Sequence, residues 1–483
     1  MRIPSGSVFL VVLLLALQVG GWWWAGRLQP AGPDVAGGRL QALSFAPYRS
    51  GQSPFTGAFP SAAEVEEDVA RLVPYAHTLR TYAAIEGDYE VAAIAGRHGL
   101  KLWQGIWIGG DAAQNAREIA RAIEVAGRHP TTVERVVVGN EVLLRRDLSP
   151  EALIAAIGQV RAGVRQPVTY ADVWEFWERY PQVAAHVDIV TIHLLPYWED
   201  DPVAVDRAVA HVGATWKRIA ALFPGKPVAI GEAGWPSRGR WRADAAPGLV
   251  AQQRFVRGVL ALAAREGFEI NLIEAFDQEW KIGTEGTVGP SWGLWSAGRV
   301  LKAPLAGPVS NVPDWPWRAA TGIGLGLLLW RVRPGAAALV AGALLGWAGW
   351  ALVPVAWGWD LALATGVGLA GQAVLAALLL RDAAWRPIVM SAFLWAAAVV
   401  QVLLMADSRY RDFPLPYFVV PVLGVLLGQG AQARRDALPA GVLAVLAVTS
   451  WLQEGAENLQ AGVWMLAALV LAAPALARFI ERR

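Results

Sequence analysis

Two glutamates stand where short apolar runs stop. In Val133–Glu141 (VERVVVGNE) a β-branched stretch ends in Gly139, Asn140 and Glu141. In Pro227–Ser237 (PVAIGEAGWPS) a second run ends in Gly231 and Glu232, followed by Ala233, Gly234, Trp235 and Pro236. Each reads as a buried strand delivering a carboxylate at its carboxyl end, where parallel α/β barrels keep their chemistry. A carboxylate pair across one cleft suits glycosidic bond cleavage: one acid protonates the leaving oxygen while the other carboxylate attacks or stabilises the sugar. Strand-end glutamates also serve as partners for arginines or as metal ligands, and spacing alone leaves both open. Their separation, and with it retention or inversion, is not readable from sequence.

Other side chains fit such a cleft. Tyr48, Tyr82, Trp103, Trp107, Tyr170, Tyr197, Trp198, Trp235 and Trp280 lie at or near strand ends, where flat rings can face pyranoses; Tyr197, Trp198 and Trp235 are the preferred three. Glu274, Asp277 and Glu279 cluster at the last strand, either to bind sugar hydroxyls or to satisfy Lys281. An inward-pointing Lys281 would keep one carboxylate charged; an outward one would be a solvated lysine. His193 reads first as a hydrogen-bonded barrel histidine, with the cleft as the alternative. There are no cysteines and no H-E-x-x-H, so neither a catalytic metal nor a cofactor is expected.

The elements that must position these groups alternate. Candidate strands are Leu43–Tyr48, His77–Ala83, Leu100–Ile108, Val133–Glu141, Val168–Val173, Val187–Leu195, Val228–Glu232 and Asn271–Phe276. Helical patterns separate them: Ala62–Val73, Tyr89–His98, Ala113–Arg128, Pro150–Val164, Trp174–Ala185, Pro202–Leu222 and Pro247–Glu266. Strands apolar throughout, alternating with helices, imply a parallel sheet covered on both faces. Eight units in roughly 270 residues fit a closed (β/α)8 TIM barrel. An open doubly wound sheet would need a G-x-G-x-x-G after the first strand, and none is present.

The composition is too apolar for a purely soluble chain: 55% hydrophobic and 17% charged residues, with a mean hydropathy of +0.36. The excess is concentrated at the ends. Val8–Trp24, about 17 residues and near the lower limit of length for a span, reads as a signal peptide or a retained transmembrane anchor; the lack of an A-x-A site after it and Trp22–Trp24 at the interface favour the anchor. Beyond Pro316, seven apolar runs read as an all-α multi-span domain: Trp317–Trp330, Ala336–Trp357, Leu361–Leu380, Pro387–Ala406, Pro416–Gly430, Leu438–Leu452 and Gln460–Phe479. The organisation is therefore 1–27 anchor, 28–40 linker, 41–312 barrel and 313–483 membrane domain. Arginine-rich loops (Arg331/Arg333, Arg381/Arg386, Arg434/Arg435) alternate with acidic ones. The positive-inside rule then puts both termini in the cytoplasm and the barrel outside, in a bacterium the periplasm. No ionisable side chain falls in mid-span, which argues against a pump. No basic stripe suggests a nucleic-acid partner.

GNE at Gly139–Glu141 and GEAGWPS at Gly231–Ser237 resemble the signature stretches of glycoside hydrolase family 17, the retaining (β/α)8 β-1,3-glucanases. Arg80-Thr81-Tyr82, Pro196-Tyr197-Trp198 and FDQEWK at Phe276–Lys281 agree in order, so the similarity covers about residues 40–300. The resemblance implies Glu141 as acid/base, Glu232 as nucleophile and Asn140 on the sugar 2-hydroxyl. The chain also resembles bacterial membrane-bound members, including the cyclic β-glucan synthesis proteins of rhizobia. That implies β-1,3-glucan elongation or β-1,6 branching at the inner membrane, with a glucan synthase or export complex as a partner. Hydrolysis, and a non-catalytic glucan-binding scaffold, are the alternatives.

Overall fold

The structure, a computed structural model, describes residues 5–431 and 433–481. The chain divides into two compact units. One comprises Pro30–Gly239 and Ala245–Val309; the other gathers the chain up to Gln29, the short segment Arg240–Asp244 and the chain from Ser310.

The first unit is a closed barrel of eight parallel strands in sequence order. They are β1 (Leu40–Ser44), β2 (Ala76–Arg80), β3 (Lys101–Ile106), β4 (Val133–Asn140), β5 (Val168–Val173), β6 (Ile189–His193), β7 (Val228–Ala233) and β8 (Ile270–Leu272), and β1 closes on β8. Strands buried on both faces read as continuous apolar runs, because helices cover the outside. Local chemistry starts those helices. Ser61 caps Ala62–Leu72 in a reciprocal box with Glu64, Asp111 caps Ala112–Arg128, and Ser149 caps Pro150–Gly163 with proline at the first helical position.

Three expectations need correction. Trp174–Ala185 is not one helix but Trp174–Arg179 followed by a 3-10 turn, Pro181–His186. Pro181 has no N–H to continue the ladder and disfavours helical geometry at Tyr180, whose φ is −128°. The last strand stops at Leu272, and the chain beyond it pairs with a returning segment, Leu294 N–H to Glu274 O at 2.9 Å and Trp295 N–H to Ala275 O at 2.9 Å. The stretch read as a linker is packed: Ala31 is buried with Val250, Ala303 and Val309, and Val35 N–H donates to Leu305 O at 3.0 Å.

In the helical unit, six helices among the described residues are long and apolar enough to cross a membrane: Val8–Ala25, Ala336–Val355, Gly358–Arg381, Arg386–Ala406, Arg434–Glu454 and Leu459–Glu481. The eight expected spans are thus reduced. Trp315–Trp330 has 16 residues, and Pro416–Gly430 holds only the 8-residue helix Val419–Leu426, about 12 Å long. Pro414 and Pro416 remove donors ahead of that helix. The buried Gln372 meets the break from the neighbouring helix, accepting from Val420 N–H at 3.1 Å and donating to Pro416 O at 3.0 Å. Gln401, equally buried, accepts from Trp464 Nε1 at 2.7 Å and donates to Leu446 O at 3.2 Å. Apolar surroundings make each such bond costly to lose.

Gly105 of β3 lies so close to the end of β2 that an added Cβ would stand 2.3 Å from Thr81 O and 2.6 Å from Tyr82 Cα. Gly105→Ala should therefore destabilise the barrel by about 2 kcal/mol or more, read as a lowered thermal midpoint of the full chain in detergent.

Candidate active site

The carboxyl ends of β2, β4, β6 and β7 converge on one charged cluster. Arg80, at the end of β2, is fully enclosed. Its Nη1 donates to Gly231 O at 2.6 Å and to Glu232 Oε1 at 3.2 Å, while Nη2 donates to Asn140 Oδ1 at 2.7 Å. His193 ends β6 opposite Glu232. Its Nδ1 lies 2.9 Å from Glu141 Oε1, and its Nε2 lies 3.4 Å from Arg80 Nη2 and 3.7 Å from Glu232 Oε1. Backbone geometry makes these approaches possible. A Cβ on Gly231 would stand 2.6 Å from Thr191 Cγ2 and 3.1 Å from the His193 ring. Glu141 adopts a left-handed φ of 54°, uncommon for a non-glycine, and its N–H is pinned to Ala171 O of β5 at 2.8 Å. Strained backbone held by its neighbours is a recurrent mark of functional sites.

The electrostatics differ around the two glutamates. The Glu232 side chain is 6% exposed and paired with Arg80; that of Glu141 is 22% exposed. Burial works against the Glu141 charge, but the His193 hydrogen bond, with Arg145 and Arg80 nearby, outweighs it and holds the carboxyl below the usual range. Beside them, burial pushes Asp172 up to about 6, against the Tyr170 hydrogen bond and with help from Glu141. Glu141, His193 and Glu232 offer ligand atoms within 4.8 Å of one another, a spacing a metal could use. Arg80 already supplies positive charge inside the same cluster, so these donors are countered without an ion.

Lys281 points inward, its Nζ 2.7 Å from Glu274 Oε1 and both groups buried. Glu279, half-buried, accepts from Ser50 Oγ at 2.7 Å, while Lys281 pairs with Glu274. Tyr82 is half-buried under Arg80, whose guanidinium carbon is 4.9 Å from the ring centroid; its hydroxyl meets Ser44 Oγ at 2.8 Å. Trp198 is half-buried and stacked on Trp292, the centroids 6.4 Å apart. Trp235, Tyr197 and Tyr170 are not available as sugar faces. Trp235 is wholly buried, its Nε1 donating to Ala246 O at 3.0 Å. Tyr197 is wedged edge-on among Trp198, Trp235 and Trp292. Tyr170 is spent inside, donating to Asp172 and accepting from Leu143 N–H at 3.0 Å. Residues just past parallel strands turn into the helix layer as readily as into the cleft, and a ring's residue type does not say which. Exposed rings stand elsewhere: Trp107, 39% exposed with Arg145 over its face, and Phe55, 70% exposed and edge-on to Trp280.

Sequence reasoning gave Arg80 no role in the chemistry and ranked His193 as structural; it overlooked Asp172. An arginine ending an otherwise apolar strand was the available signal for Arg80, since a buried guanidinium requires acceptors converging on it.

Glu274 offers a check on this electrostatic picture. Burial raises its carboxyl from 4.5 to about 7 despite Lys281. Between those values the folded chain keeps a proton that the unfolded chain has released. The associated stability is thus full below pH 4.5 and lost as pH rises to 7, on the order of 3 kcal/mol. Glu274→Gln, which keeps an acceptor for Lys281 but cannot ionise, should flatten the fall in thermal midpoint between pH 4.5 and 7.

Comparison with known proteins places this barrel. The BtgE/BtgC glycoside hydrolase domain matches residues 42–293. A glucan 1,3-beta-glucosidase of Schizosaccharomyces pombe is 27% identical over 326 residues, covering 62% of this chain and 98% of that protein. A glucan 1,3-beta-glucosidase of Arthroderma benhamiae is 30% identical over 269 residues, covering 51% and 85%. Among solved structures, an active-site mutant of the Rhizomucor miehei beta-1,3-glucanosyltransferase in complex with laminaritriose is 22% identical; the match covers 56% of this chain and 98% of that one, with a TM-score of 0.49. With two strand-end glutamates brought together in a closed barrel, and with this match over half its length, the chain belongs to the BtgE/BtgC glycoside hydrolase domain family, within glycoside hydrolase family 17.

Proposed function

We propose that the protein is a membrane-anchored retaining β-1,3-glucan transglycosylase, elongating or β-1,6-branching its substrate. The observation that carries the reading is the spacing of Glu141 and Glu232, which bring oxygens within 4.8 Å of each other. That lies on the short side, where retaining enzymes operate; inverting ones leave room for a water, at about 6.5–9.5 Å. The relatives named as glucan 1,3-beta-glucosidases support β-1,3-glucan as the substrate class.

In this mechanism Glu232, which accepts from Arg80 Nη1 at 3.2 Å, attacks the anomeric carbon while Glu141 gives its proton to the departing glycosidic oxygen. The free site favours ionised Glu141. A sugar covering the cleft would remove water from around it and favour the protonated acid. Glu141 then takes a proton from the acceptor hydroxyl, which attacks the glycosyl ester and frees Glu232. A sugar acceptor gives transfer, water gives hydrolysis. Asn140, held by Arg80, would bind the 2-hydroxyl; Tyr82, Trp198, Glu279 and Lys281 would line the sugar path.

The six apolar helices support anchoring, with residues 1–27 and 313–483 as the membrane parts and 41–312 as the catalytic domain. An enzyme held in its own membrane is suited to remodel glucan being exported, which favours transfer at the periplasmic face of a bacterial inner membrane beside a synthase or export complex.

The test is product analysis of the full chain in detergent with a defined β-1,3-gluco-oligosaccharide. Products longer than the substrate are expected, their linkage read by NMR; only shorter sugars would make the protein a hydrolase. Glu232→Ala should lower turnover at least about a hundredfold while glucan binding persists. Unchanged turnover would remove Glu232 as the nucleophile.

A further inference from the structure

His193 bonds Glu141 through Nδ1 and stands 3.7 Å from Glu232 Oε1 at Nε2, and the donor facing Nε2 assigns its hydrogen. A guanidinium can only donate. Arg80 Nη2 faces Nε2 at 3.4 Å, so Nε2 carries the lone pair and Nδ1 carries the hydrogen, which is donated to Glu141 Oε1 at 2.9 Å. Arg80 meanwhile holds Glu232 Oε1 through its other terminal nitrogen at 3.2 Å. A continuous chain of donors thus runs from Glu232 through Arg80 and His193 to Glu141, all of it enclosed except the Glu141 end.

We propose that His193 is a positioning residue that couples the charge of Glu232 to the protonation of Glu141. The inference rests on the acid/base and nucleophile assignments above. With Oε1 of Glu141 engaged by Nδ1–H, the transferable proton rides on Oε2. Glycosylation turns Glu232 from an anion into an ester. Arg80, no longer neutralised there, donates more strongly to Nε2 and polarises the ring, so Nδ1–H stabilises the Glu141 anion more. Glu141 is thereby biased towards acid before glycosylation and towards base after it. The histidine proton never leaves; each turnover moves one proton off Glu141 to the leaving oxygen and one back from the acceptor.

Other charges act on the pair from every side: Arg145 beyond β4, Asp172 of β5, Glu285 beyond β8, and Lys281 facing Glu232. They stay in place in the variants below, so differences report His193.

The full chain in detergent is compared with His193→Leu, which removes both nitrogens, and His193→Asn, whose amide reaches Glu141 like Nδ1 but has nothing at Nε2. With a β-1,3-gluco-oligosaccharide, His193→Leu should move the basic limb of kcat/KM upward by about one pH unit, since Glu141 loses a donor to its anion; His193→Asn should leave it in place. With dinitrophenyl β-glucoside, whose leaving group needs no proton, kcat/KM should change less than about threefold in both variants. Deglycosylation, read after the burst, should slow about tenfold or more in both, because neither passes the Glu232 charge to Glu141. An unmoved basic limb in His193→Leu, or equal losses in both half-reactions in either variant, would overturn the coupling. If His193→Leu does not fold, the half-reaction split in His193→Asn decides alone. A Glu141→Ala control separates the underlying assignment: if dinitrophenyl glucoside kcat/KM collapses and azide yields no glycosyl azide, Glu141 is not the acid/base.

Discussion

The burial of Arg80 is the constraint on which the active end of the barrel depends. A guanidinium sealed from water must be surrounded by acceptors, and removing one partner of such a buried pair costs several kcal/mol. Here the acceptors are Gly231 O, Glu232, Asn140 and His193, drawn from β4, β6 and β7. One residue of β2 therefore sets the relative placement of three other strand ends. Folding and chemistry share this contact, because the geometry that neutralises the arginine is the geometry that brings Glu232 towards Glu141.

The two strand-end glutamates were legible because a carboxylate after an apolar run and a glycine is anomalous unless it faces a cleft. Barrel topology was legible for a related reason: period and polarity of eight alternating units leave few alternatives. Side-chain direction after each strand ends was not. Trp235 and Tyr197 lie two and four residues past the strands that carry Glu232 and His193, and they turn into the packed layer. Their burial is settled by Phe255 and Trp292, which lie elsewhere in sequence and contact them only once the barrel closes. The partners of His193 were not legible either, since one of them, Arg80, lies more than a hundred residues earlier.

The helical unit shows the same limit from another side. Hydropathy found the apolar stretches but not how each meets its neighbours. Pro416–Gly430 is apolar enough for a span, but prolines interrupt its backbone and a glutamine from another helix completes the bonding. Composition reports the solvent a segment tolerates; continuity of the helix depends on whether each N–H can find a carbonyl, a different question.

The barrel unit begins at Pro30 and ends at Val309, and apolar helices flank it in sequence on both sides. Embedding those helices in a bilayer would confine the catalyst to a thin shell and replace three-dimensional search by lateral diffusion. Encounter frequency would then follow the local density of glucan ends at that surface rather than bulk concentration, in the manner of tethered reactants whose effective concentration is set by reach. A polymer leaving the membrane nearby would meet the site repeatedly, whereas the same polymer free in solution would meet it seldom. Tethering of this kind selects substrates by where they are made, a discrimination that no contact inside the cleft has to provide.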